Sequence, residues 1–257
     1  IDNRQTITNL TKEQIIKICD RKFIGCDQLI LIKKNDISDA SLEFYNSDGG
    51  MSGACGNGTR CIADLLGKEN NKKEIVLTTL SGKLKSNIVG EKMVSTEIGV
   101  AKTKWDEIPL SKELNTNNLG IKINDKNNNE FSGGTAVNVG NPHVVFFVDN
   151  NENFEIKKIG PKIETHSLFP EKCNVTLATV VNKELIKVRV WERGAGFTKA
   201  CGTAACATAF AAKQNGLVND KVDIEFSTGR LTISIDENNS IHMKGPVSDI
   251  EEINFKI

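Results

Sequence analysis

Short segments in which apolar residues alternate with polar ones, or follow one another over several positions, recur along the chain and predict β-strands. These segments are Gln28–Lys33, a segment that carries Leu42 and Phe44 on one face, Glu74–Leu80, Asn174–Val181 and Glu184–Trp191. The last two are close enough in sequence to pair as a β-hairpin.

Three further segments predict helices. Thr11–Gln14 has the sequence of a capping box, in which the first and fourth residues bond each other's backbone N–H groups at the start of a helix. Thr59–Leu66 is followed by Gly67, and an alanine-rich segment that ends near Gln214 is followed by Gly216. Glycine commonly lies just past a helix C-terminus, because it adopts the left-handed conformation there without steric cost.

The second half of the chain repeats the pattern of the first. Equivalent positions are Leu42 and Val188, Tyr45 and Trp191, Cys55 and Cys201, and Gly82 and Gly229, each pair 146 or 147 residues apart. An offset that holds through strands, loop and helix, and that is far longer than a solenoid repeat, indicates a duplicated domain. The predicted fold class is therefore α+β, with two pseudo-symmetric halves. Each half is a layer of β-sheet and hairpins wrapped around a central helix, with the active site in the cleft between the halves.

The expected boundaries follow from the repeat. Residues 1–112 form the half that carries Cys55, and residues 113–246 form the half that carries Cys201. The polar stretch Ser111–Glu130, rich in Asn and Lys, is the expected linker.

Charge and hydropathy narrow the classes of function. The 257 residues include 33 Lys and Arg against 33 Asp and Glu, so no net charge favours nucleic acid or an anionic membrane. The longest apolar run, Val144–Val148, is far shorter than the roughly 20 residues that span a bilayer. We expect a soluble, cytoplasmic protein without nucleic-acid or membrane partners. Because the chain begins at Ile1 rather than at methionine, we also expect a further segment upstream.

Seven cysteines are many for this length, but their number is odd, their spacing is wide and no Cys-x-x-Cys pair occurs. The three histidines do not complete a zinc-binding pattern. We therefore expect neither a disulfide scaffold nor a metal site, but free thiols in a reducing compartment.

Cys55 and Cys201 differ from the other cysteines in their surroundings. Each follows a glycine-bearing loop and precedes a predicted helix, within the tripeptide Ala-Cys-Gly. The first N–H groups of a helix have no partners within it, and the helix dipole favours an anion there, so a thiol at this point is readily activated. The glycine that follows lets a ligand carboxylate approach the amides closely.

Two activatable thiols that face one carbon atom from opposite sides can invert its configuration. One thiolate takes the proton from the α-carbon, and the other thiol returns a proton to the opposite face. A carboxylate held at the helix ends takes up the negative charge. The duplication thus predicts an amino-acid racemase or epimerase, whose partner is a small-molecule amino-acid substrate.

Motifs along nearly the whole chain resemble those of the diaminopimelate epimerase family. They are FYNSDG at Phe44–Gly49, ACGNGTRC at Ala54–Cys61, VGNPHVV at Val139–Val145, NVTLATV at Asn174–Val180, ERGAG at Glu192–Gly196 and ACGTAACA at Ala200–Ala207. The resemblance implies epimerisation of L,L-diaminopimelate to the meso form, in lysine and peptidoglycan precursor synthesis, without a cofactor. It also implies that residues 247–257 pack back on the first half, and that a homodimer forms, as in many members.

Carried over motif by motif, the resemblance implies roles for individual residues. Cys55 and Cys201 form the acid–base pair. His143 tunes Cys55, and Glu192 tunes Cys201. The residues implied in substrate binding are Gln28, Asn46, Gly56, Asn57, Asn141, Asn174, Arg193, Gly202 and Thr203. Arginine suits a distal carboxylate because its fork pairs with both oxygens, and asparagine offers both a donor and an acceptor.

Other functions stay open on the residues alone. A racemase for another amino acid, such as proline or histidine, would use the same cysteine pair. A thiol-redox protein would join Cys55 and Cys201 in a disulfide. A cysteine hydrolase built on Cys201 and His143 would leave Cys55 and the duplication without a role.

Overall fold

Two units make up the fold, and the order of elements in the first recurs in the second, which has three further strands at its start. The computed structural model describes residues 1–6, 8–53 and 55–255. One unit comprises Ile1–Glu97 and the segment from Gly245 onward, and the other comprises Ile98–Lys244.

The first unit is a sheet with two helices. Its helices are α1 (Lys12–Cys19) and α2 (Gly56–Asn70), and its strands are β1 (Asp2–Asn3), β2 (Gln28–Lys33), β3 (Ala40–Asn46), β4 (Met51–Ser52), β5 (Glu74–Thr79), β6 (Gly82–Gly90) and β7 (Met93–Val100). The strand order is β1-β2-β3-β5-β6-β7, with β4 paired to β3. The β1–β2 and β3–β5 pairs are parallel, and β2–β3, β3–β4, β5–β6 and β6–β7 are antiparallel.

The second unit has a larger sheet. Its strands are β8 (Ile121–Asn124), β9 (Glu130–Gly133), β10 (Thr135–Asn138), β11 (Pro142–Phe147), β12 (Asn174–Asn182), β13 (Leu185–Glu192), β14 (Gly196–Thr198), β15 (Lys221–Phe226), β16 (Gly229–Ile235) and β17 (Ser240–Pro246), and its α-helices are α3 (Ile156–Glu164) and α4 (Gly202–Gln214). The strand order is β10-β11-β12-β13-β15-β16-β17, with β14 paired to β13. Strands β8 and β9 form a separate hairpin.

The pairing pattern of one unit matches that of the other. The parallel pair β3–β5 corresponds to β13–β15, and the antiparallel hairpin β5–β6 corresponds to β15–β16. The turn glycines of these hairpins, Gly82 and Gly229, both have positive φ angles, +118° and +151°. The predicted α+β fold with two repeated halves is confirmed.

A central helix contributes to the core of each unit. In the first unit, Ala63 and Leu66 of α2 are buried in one cluster with Leu42, Phe44 and other strand residues. In the second unit, every residue from Ala204 to Ala212 of α4 is buried. Full burial of a large apolar side chain contributes roughly 2 kcal/mol, so the helices that follow the two cysteines are fixed by the sheets that enclose them.

The division between the units falls earlier in the chain than the expected boundary at 112/113. Ile108, Leu110, Ile121 and Ile123 are all buried in one cluster of the second unit. The polar stretch expected to be a linker therefore belongs to this unit and forms β8. Its two isoleucines alternate with Lys122, which places them on one face of the strand, but this pattern is too short to be recognised among the surrounding Asn and Lys.

The C-terminal segment makes contacts within the first unit. Val247 is buried, and its N–H donates to the carbonyl of Lys92 at 3.0 Å. Lys92 also pairs with Asp249 at 2.7 Å. Lys256 and Ile257, the end of the segment expected to pack on the first half, lie outside the described residues.

The predicted capping box at Thr11 is present, with both of its hydrogen bonds, but the predicted role of Gly67 is wrong. Helix α2 continues through Gly67 to Asn70 and ends at Asn71 in the left-handed conformation. A Cβ atom on Gly67 would lie 2.0 Å from Cδ1 of Ile88. Gly67 is needed for close packing of the helix against β6, and it does not end the helix.

We predict that Gly67→Ala lowers the free energy of unfolding, because the added methyl group would overlap Ile88 and lie 2.8 Å from the Lys72 carbonyl. Overpacking of this kind costs about 1–3 kcal/mol, despite the better helix propensity of alanine. Urea denaturation followed by circular dichroism measures the change. Asn70→Ala, an exposed change in the same helix, is the control, and an equal effect in both variants would contradict the packing role.

Candidate active site

Cys55 is the residue that caps the N-terminus of α2. Its backbone is extended, with φ −140° and ψ 108°, and the chain enters the helix at Gly56. The N–H of Gly58 donates to Sγ of Cys55 at 3.3 Å. A Cβ atom on Gly58 would lie 2.5 Å from Cδ1 of Ile30, so glycine is required for this turn to pack beneath the thiol.

Two opposing effects act on the Cys55 thiol. Burial raises its pKa, because a thiolate loses solvation there. The N–H groups of Gly58 and Asn57 and the positive charge of Arg60 oppose this rise. The side chain is half-buried, so it is accessible to a ligand and yet surrounded by groups that stabilise the thiolate.

Cys201 occupies the equivalent place before α4. Its φ of −146° and ψ of 116° are close to the angles of Cys55. Sγ lies 3.4 Å from Oγ1 of Thr203. The residue is only 7% exposed, which is consistent with the burial of every residue from Ala204 to Ala212 in the helix behind it.

The electrostatic surroundings of Cys201 differ from those of Cys55. Burial raises the pKa of the Cys201 thiol, and the negative charge of Glu192 raises it further. Glu192 ends β13, where it pairs with Gly196 of β14, and Ala195 N–H donates to its carbonyl at 3.1 Å. The predicted relation of Glu192 to Cys201 thus rests on a tight turn that holds the carboxylate near the thiol.

The structure brings together two groups of the predicted binding residues in the first unit. Gln28 and Asn46 are paired across β2 and β3, and Nε2 of Gln28 donates to Oδ1 of Asn46 at 3.0 Å. The second group, Gly56 and Asn57, forms the first turn of α2 directly after Cys55.

A second set of predicted residues meets where β11 and β12 begin. These strands are parallel, and their register places His143 beside Asn174. The Asn174 side chain is buried; its Nδ2 donates to the Pro142 carbonyl at 3.0 Å, and its Oδ1 accepts the N–H of Arg193 at 3.0 Å. Asn174 therefore fixes the backbone at Arg193 through contacts within its own unit.

Arg193 and the remaining predicted residues of the second unit lie around this point or at α4. Nη1 of Arg193 donates to the Glu171 carbonyl at 2.9 Å. Asn141 directly precedes β11, and Gly202 and Thr203 begin α4. Of the residues expected to act together, Cys55 lies in the first unit and His143 in the second.

His143 is fully buried and is neutral at physiological pH. Its Nε2 lies 2.9 Å from Oδ1 of Asn141, whereas its Nδ1 has no hydrogen-bond partner among the described residues. Burial, together with the positive charge of Arg193, lowers its pKa to about 3. A neutral imidazole can accept a proton or orient Asn141, but it does not supply a positive charge.

Two residues near the site were missed by sequence reasoning. Glu164, at the end of α3, accepts Nε1 of Trp191 at 2.7 Å and the N–H of Gly194 at 3.0 Å, which anchors both sides of the turn after Glu192. Arg60 donates to Oδ1 of Asn57 at 2.8 Å. Arg60 lies within the family motif, and a charged residue inside a helix that packs on a sheet could have indicated a role for it. No feature of the sequence indicated a role for Glu164.

In the described part of the chain, no group of three or more His, Cys, Asp or Glu side chains is arranged to hold a metal ion. None of the helices described is long and apolar enough to cross a membrane.

We predict that the stability of the protein falls as the pH drops below 6.5 and that His143 accounts for part of the fall. His143 titrates near 6.5 when unfolded and near 3 when folded, so between these values the unfolded chain binds more protons. The expected loss is roughly 1 kcal/mol per pH unit. Urea titrations from pH 7 to 4 should show a weaker dependence for His143→Gln, and equal slopes in both proteins would refute this.

We predict that Glu192→Gln lowers the pKa of the Cys201 thiol, because it removes a negative charge that opposes the thiolate. The midpoint of iodoacetamide alkylation of Cys201, followed by mass spectrometry against pH, should fall by about one unit. Glu184→Gln removes the same charge from an exposed position outside the site and should leave the midpoint in place. A midpoint that does not differ between the two variants would argue against Glu192.

Known proteins similar to this chain are diaminopimelate epimerases. The sequence profile described as diaminopimelate epimerase matches residues 1–104 and 135–250. A diaminopimelate epimerase of Pelagibacter ubique is 68% identical over 257 residues, which is 100% of this chain and 94% of that protein. One from Caulobacter vibrioides is 40% identical over 95% of this chain and 89% of its own.

Solved structures show the same fold at low identity. A phenazine biosynthesis protein of the PhzF family from Bacillus anthracis has a TM-score of 0.63 at 15% identity, over 95% of this chain and 90% of its own. The profile match includes both cysteine-capped helices and extends over most of the chain. This chain therefore belongs to the diaminopimelate epimerase family.

Proposed function

We propose that the protein interconverts L,L- and meso-diaminopimelate by two-base proton transfer at one α-carbon. The observation that carries this is the 68% identity, over the whole chain, to a diaminopimelate epimerase. The matched geometry of Cys55 and Cys201 before their helices supports the same reading. The reaction is an isomerisation, so it needs no oxidant and consumes no second substrate.

The carboxylate at the reacting carbon binds to backbone amides at the starts of α2 and α4. Gly56 and Asn57 begin one helix, and Gly202 and Thr203 begin the other. The first N–H groups of each helix have no partners within the helix, and the helix dipole favours negative charge there. These amides therefore stabilise the charge that moves onto the carboxylate when the α-proton leaves.

The proton transfer uses both thiols. The thiolate of one cysteine removes the α-proton, and the thiol of the other delivers its own proton to the opposite face of the carbanion. The cysteines end with their protonation states exchanged, and the substrate ends with its configuration inverted. In the reverse direction the roles are exchanged, so each cysteine acts as base in one direction and as acid in the other.

The distant amino-acid end of the substrate binds to side chains that both donate and accept hydrogen bonds. Gln28 and Asn46 present amides at the paired ends of β2 and β3, and Asn141 precedes β11. Arg193, whose backbone is fixed by Asn174, supplies the fork that pairs with the distal carboxylate. This end distinguishes diaminopimelate from amino acids that lack a second amino-acid group.

The proposal also covers the cellular compartment and the oligomeric state of the protein. All seven cysteines lie in the described residues and are free, which fits an enzyme of the reducing cytoplasm. A homodimer is the assembly that the family resemblance implies, and sedimentation velocity would measure it directly.

We expect that Cys55→Ala and Cys201→Ala each reduce epimerisation by at least about 10³-fold, because each removes one proton-transferring group. Proton NMR in D₂O follows loss of the α-proton signal of L,L-diaminopimelate and the appearance of the meso isomer. Cys61→Ala and Cys206→Ala, which remove thiols further along α2 and α4, are matched controls. Full activity in either catalytic variant would contradict the two-base mechanism.

A substrate panel separates this function from its nearest alternative. L-proline, L-histidine and L,L-diaminopimelate are incubated with reduced protein in D₂O under the same conditions. Exchange of the α-proton in diaminopimelate alone is the expected result. Faster exchange in proline or histidine would assign the chain to a different racemase.

A further inference from the structure

Arg60 is a charged residue in the interior of the first unit. It lies one turn into α2 and is 4% exposed. Nη2 donates to Oδ1 of Asn57 at 2.8 Å, and Nη1 donates to the carbonyl of Gly56 at 3.4 Å. Its guanidinium thus holds the two residues whose amides begin the helix, while Asn57 itself is exposed.

A buried guanidinium is costly, so its position calls for an explanation. Removing a charge from water costs several kcal/mol unless polar groups compensate for it. Asp64, one turn further along α2, is also buried, and its carboxylate pairs with Lys68 at 2.7 Å.

The repeat shows that the charge is not a general requirement of the fold. With the offset of 146 residues, the position equivalent to Arg60 is Cys206, a buried cysteine of α4. Similarly, the position equivalent to Glu192 is Asn46, which carries no charge. Each thiol therefore has a charged neighbour that the other lacks, and the two charges have opposite sign.

We propose that Arg60 is a positioning residue of the first half, which anchors the side chain of Asn57 and places a local positive charge beside Cys55. The role in catalysis rests on the function proposed above, but the local effect on the thiol does not. Arg60 acts through Asn57 and Cys55.

The charged and titratable groups that influence Cys55 are few. The positive charge of Arg60 favours the Cys55 thiolate, and the neighbouring thiol of Cys61 acts against it. Cys61 is itself influenced by Arg60 and by Asp64 in opposite directions. Of these groups, Arg60 is the one whose charge favours the Cys55 thiolate, so neutralising it has a predictable sign.

The test measures the reactivity of the thiols without any substrate. Alkylation of Cys55 by iodoacetamide is followed by mass spectrometry from pH 6 to 10 in the full chain and in Arg60→Gln. The midpoint for Cys55 should rise by about one pH unit, because the thiolate loses a favourable positive charge. Cys201, measured in the same digest, is the internal control, since its charged neighbour is Glu192.

Two further variants separate the effect of the Arg60 charge from the effect of its paired guanidinium donors. Arg60→Lys keeps the charge but loses the paired donors, so the Cys55 midpoint should stay near that of the parent while KM for diaminopimelate rises several-fold and kcat changes little. Arg21→Gln removes an exposed guanidinium of the same unit and should change neither quantity. Circular dichroism melting of each variant reports folding.

Specific results overturn the proposal. A Cys55 midpoint that shifts no more than that of Cys201 in Arg60→Gln would remove the local charge effect. An Arg60→Lys enzyme with parental KM would remove the anchoring of Asn57, and this comparison decides the matter if Arg60→Gln does not fold. If the midpoint shifts as expected but neither the parent protein nor any variant turns over diaminopimelate, the proposed function is wrong and the local role of Arg60 still stands.

Discussion

Both halves of the molecule depend on one constraint: a cysteine in extended backbone lies immediately before a helix. The conformations of Cys55 and Cys201 differ by less than about ten degrees in φ and ψ, and in each the chain turns directly into helical geometry. The amides of the first turn then lie beside Sγ. That geometry holds only if the helix cannot move, which is why α2 and α4 are packed against sheets through alanine, leucine and the close-approach glycines Gly58 and Gly67.

The duplicated backbone does not carry duplicated electrostatics. Strand order, parallel pairings and turn glycines are repeated, because they determine whether the chain folds. The neighbours of the two thiols have diverged, with Arg60 near one and Glu192 near the other. A two-base isomerisation requires one thiolate and one thiol at any moment, and the positive charge near Cys55 and the negative charge near Cys201 favour that state. Divergence at a few positions therefore lets the same fold place different charges beside the two thiols.

Features determined by neighbouring residues are predictable from sequence, and features determined by distant ones are not. The capping box at Thr11 and the positive φ of Gly216 depend on local chain geometry, and both were foreseen. Gly67 was misassigned because a glycine after an apolar run looks the same whether it ends a helix or admits a distant side chain, here Ile88. The link from Glu164 to Trp191 and Gly194 likewise appears only when α3 docks on β13.

The aromatic residues divide between the units in a way that makes them spectroscopically distinct. The chain has two tryptophans and one tyrosine. Trp105 and Trp191 lie in the second unit, whereas Tyr45 lies in the first. Emission excited at the red edge of absorption therefore originates from the second unit alone, and the indole of Trp191, bonded to Glu164, is adjacent in sequence to Glu192. Fluorescence follows the second unit, and circular dichroism follows both, so non-coincident unfolding curves would reveal independent melting of the two halves.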